Sequence, residues 1–177
     1  MTNVPMGEIS FARQKGVLKT LLGSCVGIAF YHGPSKTASL AHVLLPASNV
    51  PTGIIRDRRE DSFPAGRYVD TAIDAMLNRL EQESIAATSL QASIGGCADM
   101  FGLESTDSVG TLNREAVARE LSKHRIPILV EHCGGNQAVR MSLNVATGKT
   151  TFQRVSQRSL RTENQRSPAS TPRRQAR

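Results

Sequence analysis

The hydrophobic pattern near the start of the chain predicts a β-hairpin. Two apolar, strand-like runs, VGIAFY at 26–31 and ASLAHVLL at 38–45, flank the turn formers HGPSK at 32–36. Because side chains on paired strands meet in register, the centre of the turn decides which residues face each other. The pattern favours a turn centred on Gly33 and Pro34.

Further along, the pattern predicts two helices and more strands. Apolar residues at i, i+3, i+4 and i+7 spacing predict a helix over 68–83. A second helix is predicted over 114–124, with Asn113 as its N-cap. The remaining strand predictions cover 89–94, a buried strand over 127–133, and a hairpin over 140–155. The polar connection at 46–66 is long enough to form a wall over a functional site.

The predicted turn brings a cysteine and a histidine together. With the turn centred on Gly33 and Pro34, Cys25 lies directly opposite His42, and the two side chains share one face of the sheet. Their Cβ atoms would be about 4.5 to 5.5 Å apart. A thiol beside an imidazole can form the ion pair that activates a cysteine nucleophile.

The residues before Cys25 add a second element of such a site. Gly23 and Ser24 interrupt the strand pattern, so the chain is expected to bend there and leave backbone N–H groups able to bind an oxyanion. The alternative interpretation is structural, because free cysteines are often small buried hydrophobes and a core histidine can bind a backbone carbonyl. The pairing in register favours the catalytic interpretation.

Two other cysteines are rival nucleophiles. Cys97 follows two glycines and Cys133 precedes two, so either could lie beside flexible backbone. Neither has a histidine placed opposite it by a short hairpin. His132 adjoins Cys133 only along the chain, and neighbouring side chains on a strand point to opposite faces, which also argues against a zinc site.

Positive charge concentrates at the C-terminal end. The 177-residue chain has a formal net charge of +7, and residues 154–177 hold seven arginines against one acidic residue. This segment has few large apolar side chains, so we predict a domain over 1–155 followed by a disordered basic tail over 156–177. Such a tail could contact acidic surfaces, but it lacks the interleaved aromatics that stack on nucleic-acid bases.

The N-terminal residues lack the pattern of a secretory signal, and no apolar run approaches the ~18 to 20 residues of a membrane span. The three cysteines are an odd number without CxxC spacing, which fits free thiols in a reducing compartment. We therefore expect a cytoplasmic protein that does not insert into membranes.

Several segments resemble a known family, the chemoreceptor glutamine deamidases called CheD. TLLGSCVGIAF and AHVLLP resemble that family's cysteine and histidine signatures, including the separation between them. Four downstream segments are also similar to family segments: GRYVDTAIDAMLNRL, ASIGGCADMFG, SVGTLN and EHCGGNQAVRMSLNVATGKT. The resemblance runs from about Gly7 to Val155 and does not include the basic tail.

The resemblance implies the site residues and the fold. The family's catalytic cysteine and histidine fall on Cys25 and His42, and its third member, a threonine, falls on Thr20; a slip by one position would put Lys19 there. Gly23 and Ser24 would contribute to the oxyanion site. The family resembles cytotoxic necrotising factor catalytic domains, which implies an α+β fold of face-to-face β-sheets flanked by helices.

The resemblance also implies an activity, which is hydrolysis of glutamine side chains of chemotaxis receptors through a thioester, without metal or organic cofactor. A glutamyl methyl ester would suit the same groups. The implied partners are cytoplasmic domains of chemoreceptors and a CheC-like phosphatase. Two alternatives remain open: a catalytically silent adaptor that binds a receptor or phosphatase, and a nucleic-acid-binding protein that uses the Arg-rich tail.

Overall fold

Two mixed β-sheets and two α-helices make up the fold. The computed structural model describes residues 1–48, 64–99 and 108–155. The described elements are, in chain order, β1 Thr2–Asn3, β2 Ile9–Arg13, β3 Val17–Leu22, β4 Val26–His32, β5 Thr37–Val43, α1 Val69–Gln82, β6 Gln91–Gly96, α2 Val109–Lys123, β7 Ile128–Cys133, β8 Ala138–Asn144 and β9 Thr150–Val155. Short 3₁₀ helices precede α1 at Ala65–Arg67 and β6 at Ala87–Ser89.

The strands form a four-stranded and a five-stranded sheet. The four-stranded sheet has the order β1-β3-β8-β9, and the five-stranded sheet has the order β2-β5-β4-β6-β7. The β1–β3 and β6–β7 pairs are parallel, and the other pairs are antiparallel. Because β5 and β6 both run antiparallel to β4, the first residues of β4 and the last residues of its two neighbours lie at the same end of the sheet.

Alternation along β4 and β5 separates two cores. In β4, Val26, Ile28 and Phe30 face the cluster that the helices cover, whereas Ala29 faces the other sheet. The first core joins the five-stranded sheet to α1 and α2. The second fills the space between the sheets with small and aliphatic side chains such as Leu40. This three-layer arrangement confirms the predicted α+β class with face-to-face sheets and outer helices.

The first hairpin is present, but its predicted register is wrong. The structure pairs Gly27 with His42 and Val26 with Val43, so Cys25 is not directly opposite His42. The reason is a four-residue turn between His32 and Thr37, where the His32 ring bonds the Ser35 hydroxyl over 2.7 Å. The shift keeps His42 on the face that Gly27 occupies.

The second helix begins earlier than predicted, at Val109 instead of residue 114. Its N-cap is Ser108, whose hydroxyl accepts from the Thr111 N–H, and Asn113 lies inside the helix. The first helix, at Val69–Gln82, confirms the prediction for 68–83. The hairpin predicted over 140–155 is also confirmed, as β8 and β9.

The strand predicted over 127–133 exists as β7, but the prediction that it is buried is wrong. β7 is the outer strand of the five-stranded sheet, and Leu129 is 58% exposed. An apolar run can mark an edge strand as well as a central one, because periodicity alone does not separate them. Most of the connection at 46–66 lies outside the described residues, so its predicted position over the site stays a prediction.

Candidate active site

The predicted site residues lie at the end of the five-stranded sheet where β4 begins. Cys25 directly precedes β4, and His42 is the next-to-last residue of β5. Thr20 lies on β3 of the facing sheet and turns its side chain into the space between the sheets. The structure joins Thr20 to His42 by a hydrogen bond and sets Cys25 at the same end of the sheet, while His42 Nε2 has no hydrogen-bond partner among the described residues.

The N-terminal segment holds the backbone of His42 in place. The His42 N–H donates to the Glu8 carbonyl over 3.0 Å, and the His42 carbonyl accepts from the Gly7 N–H over 2.8 Å. The side chain is only 5% exposed, so its position is fixed from both the backbone and the core. Sequence reasoning gave the N-terminal residues no role in the site.

The Thr20 hydroxyl determines which nitrogen of His42 carries the proton. It donates to the Val4 carbonyl over 2.8 Å and lies 2.7 Å from His42 Nδ1. A hydroxyl has one hydrogen, so once Val4 has accepted it, the Thr20 oxygen can only accept from Nδ1–H. Nε2 then carries the lone pair, which makes it the basic nitrogen of the ring.

Lys19, which a one-residue slip would substitute for Thr20, lies on the other face of β3. It pairs with Ser142 in the ladder, and alternation along the strand turns its side chain away from the face of Thr20. Thr20 is 1% exposed and bonds the imidazole. The geometry therefore favours Thr20 as the residue that orients His42.

Cys25 lies diagonally across from His42. Val26 pairs with Val43 at the end of the β4–β5 ladder, and Cys25 and His42 directly precede these two residues on antiparallel strands. Diagonal neighbours have Cα atoms about 7 to 8 Å apart, within reach of longer side chains. Cys25 is half-buried and packs against the cluster between the sheets, which is the face that the His42 ring occupies.

Burial acts on both groups in the direction that favours their neutral forms. Burial raises the pKa of the Cys25 thiol above its ordinary value, although the residue's own backbone N–H acts in the opposite direction. Burial also lowers the pKa of His42, and the neighbouring Val4 carbonyl opposes this effect. The expected thiolate–imidazolium pair is therefore disfavoured at rest, and His42 Nε2 is suited to act as a general base.

The bend before Cys25 is held by its carbonyl groups. The carbonyls of Gly23 and Cys25 accept from the N–H groups of Ala98 and Cys97 over 2.9 and 2.8 Å. The Ser24 carbonyl accepts from Asn113 Nδ2 over 3.2 Å. Within residues 1–48, 64–99 and 108–155, the Ser24 and Cys25 N–H groups have no backbone acceptor.

The rival cysteines are close to one another and not to a catalytic histidine. A hydrogen bond to the Cys133 thiol and burial both raise the pKa of Cys97, which makes Cys97 a poor nucleophile. The His132 ring stacks on Phe152, with 5.1 Å between the ring centroids. In the part of the chain that the structure describes, no three acidic, histidine or cysteine side chains cluster as metal ligands.

Comparison with known proteins identifies the family. The profile described as CheD chemotactic sensory transduction matches residues 44–154. The chain is 32% identical over 161 residues to the chemoreceptor glutamine deamidase CheD of Halalkalibacterium halodurans, covering 89% of this chain and 95% of that protein. The chain belongs to the CheD family.

Other CheD proteins give a similar result. The chemoreceptor glutamine deamidase CheD of Thermotoga maritima is 33% identical over 86% of this chain and 90% of its own length. The probable chemoreceptor glutamine deamidase CheD of Methanococcus vannielii is 34% identical over 85% of this chain and 93% of its own length. The CheD profile match begins two residues after His42. The profile match therefore does not include Thr20, Cys25 or His42, and their roles stay predictions.

None of the helices in the described part of this CheD-family chain combines the length and the apolar character that crossing a bilayer requires.

Proposed function

We propose that this CheD-family protein deamidates glutamine side chains of chemoreceptors, with Cys25 as nucleophile and His42 as general base and acid. The observation that carries this proposal is the Thr20–His42 hydrogen bond of 2.7 Å, which leaves Nε2 as the basic nitrogen on the face of the sheet that Cys25 packs against. The names of the curated relatives supply the substrate class.

The proposed reaction has two halves. His42 Nε2 takes the Cys25 proton as the sulfur attacks the side-chain amide carbon, and the same proton then leaves with ammonia. The Ser24 and Cys25 N–H groups bind the oxyanion, with Gly23 allowing the bend that directs them. In the second half, His42 deprotonates a water that hydrolyses the thioester, so the product is glutamate and the thiol is restored.

A glutamyl methyl ester is a further proposed substrate of the same groups. Attack on the ester carbonyl forms the same thioester, and methanol leaves in place of ammonia with the proton that His42 holds. A CheC-like phosphatase partner remains a prediction from the family resemblance, as do the boundary at 155 and the basic tail.

Mass spectrometry of cytoplasmic receptor fragments tests the proposal. Deamidation adds about 1 Da at each modified glutamine through hydrolysis of the acyl-enzyme. We expect this gain with the native protein and none with Cys25→Ala. Cys133→Ala is the matched control, because it removes another half-buried thiol and should leave turnover unchanged.

The same assay separates the alternatives. A catalytically silent adaptor would bind the receptor fragment without any gain in mass, and an active Cys25→Ala protein would exclude the thiol mechanism. A nucleic-acid-binding protein would show neither receptor binding nor deamidation.

A further inference from the structure

We propose that Asn113 is a positioning residue that fixes the separation between Cys25 and His42. This inference rests on the proposed function. Asn113 lies inside α2, is 0% exposed, and contacts neither Cys25 nor His42 by a hydrogen bond of its own among the described residues. It holds instead the two segments that carry them.

The side-chain amide of Asn113 bridges two backbone segments where β4 and β5 part. Its Nδ2 donates to the Ser24 carbonyl over 3.2 Å and to the Leu44 carbonyl over 3.0 Å. Ser24 directly precedes the nucleophile, and Leu44 lies two residues after His42. The ladder between β4 and β5 ends at Val26 and Val43, so the two amide hydrogens cross-link the strands just beyond their last pair.

Helix α2 gives this amide a rigid base. Gly110, one turn earlier, packs so closely on Cys97 that an added Cβ would lie 2.4 Å from the Cys97 carbonyl oxygen. On the inner face of the helix, Ala116, Val117 and Leu121 are buried in the core. A side chain fixed on a packed helix can hold two loops more accurately than the loops hold each other.

Stability alone does not explain an asparagine at this position. Its Oδ1 atom is buried and has no hydrogen-bond partner among the described residues. A buried acceptor without a partner destabilises the folded state. The two donor contacts are what an apolar residue of similar size could not supply.

The test uses alkylation of Cys25 by iodoacetamide at pH 7, measured by peptide mass spectrometry. This reaction needs no protein substrate, and His42 should accelerate it by taking the thiol proton. We compare the native protein, Asn113→Ala, His42→Ala and the double variant. Asn113→Leu, which keeps a similar volume but loses the amide donor, serves if Asn113→Ala does not fold.

We expect Asn113→Ala to slow alkylation about 10-fold when His42 is present and less than about 2-fold when His42 is absent. A merely structural asparagine would change the rate by the same factor in both backgrounds, and that result would overturn the inference. Asn144→Ala is the matched control: the Asn144 side chain accepts from the N–H groups of Ala146 and Thr147 in a turn, so its loss should leave the rate unchanged.

Turnover on a receptor fragment then separates the two proposals. For a positioning residue we expect Asn113→Ala to lower kcat about 10-fold or more, with KM unchanged. Coupling in alkylation together with no deamidation by the native protein would overturn the proposed function and leave the inference standing. Additive effects of the two substitutions on alkylation, together with normal deamidation, would overturn the inference and leave the proposed function standing.

Discussion

At the scale of single residues, the Thr20 hydroxyl links the N-terminal segment to the base. It passes its only hydrogen to the Val4 carbonyl and so selects the His42 tautomer with a basic Nε2. In the proposed mechanism this hydroxyl contributes no reacting atom and orients the His42 ring, which does. A residue of this kind is expected to affect rate through orientation and not through bond making.

The first prediction concerns this hydroxyl. Thr20→Val keeps the shape of the side chain but can neither donate nor accept, so we expect kcat to fall about 10- to 100-fold. Thr20→Ser retains the hydroxyl and should keep most of the activity. Deamidation kinetics on a receptor fragment measure both variants, and a Thr20→Val protein with native kcat would contradict the orienting role.

The second prediction concerns pH. Because burial lowers the pKa of His42 below 6.5, we expect kcat/KM to fall only as the pH drops through that lowered value and His42 becomes protonated. Because burial raises the pKa of Cys25 above 9.0, thiolate should form only in strongly alkaline solution. The difference in thiolate absorbance between the native protein and Cys25→Ala measures this ionisation. A thiolate signal below pH 7 would indicate a preformed ion pair instead.

The sequence predicts the side chains of the site better than the groups that position them. The hairpin pattern points to Cys25 and His42, although its predicted register is wrong, and the family resemblance points to both and also to Thr20. The Val4 carbonyl that orients Thr20 is a backbone group, and backbone groups leave no signal in residue types. Asn113 was interpreted as an N-cap, because asparagine favours that position and its long-range contacts are invisible in the local pattern.

At the scale of elements, the contact between α2 and the end of β6 sets the site's geometry. The helix reaches the Cys97 backbone only because Gly110 has no side chain. The Cys97 N–H in turn donates to the Cys25 carbonyl over 2.8 Å. The helix, the end of β6 and the nucleophile loop therefore form one connected unit.

The third prediction tests this contact. Alanine normally stabilises a helix interior by about 1 kcal/mol relative to glycine, yet Gly110→Ala should destabilise the protein by about 1 to 3 kcal/mol through overpacking. Urea unfolding measures the change. Gly33→Ala is the control, since its Cβ would have only an ordinary contact of 3.8 Å with Tyr31. A Gly110→Ala protein as stable as the native one would show that the helix can shift.

The sequence predicts elements correctly where a periodic apolar pattern is long. It fails where the conformation of a turn sets the strand register. Helix α1 follows from a stripe of apolar residues, and tertiary contacts do not override it. The register of the first hairpin depends on a four-residue turn, where Lys36 adopts a left-handed conformation with φ of 50°. A lysine gives no hint of that conformation, so the sequence pattern centres the turn one residue too early, on Gly33 and Pro34.

At the scale of the whole molecule, the buried hydrophobic residues of the described chain lie between Val4 and Val155. The fourth prediction follows from this distribution. A chain that ends at Val155 should keep its thermal stability and its intrinsic deamidase activity, because all the site residues and core contacts described above are retained. Loss of turnover in the shortened chain would mean that the predicted boundary is wrong.

Receptor binding by the full chain and by the chain that ends at Val155 is compared at low and at high salt. Residues after Val155 carry six arginines and one glutamate, so any contribution to receptor binding should be electrostatic. We expect the full chain to bind an acidic receptor fragment more tightly only at low salt. An advantage that persists at high salt would indicate specific contacts by the tail.

The raised pKa of Cys25 also has a consequence for the reactivity of its thiol between turnovers. Peroxides, electrophiles and soft metal ions react with thiolates far faster than with thiols. A cysteine that loses its proton only when a target carbonyl approaches therefore reacts slowly with these agents between turnovers. Under the proposed mechanism, the burial that raises the pKa of Cys25 should also slow its oxidation.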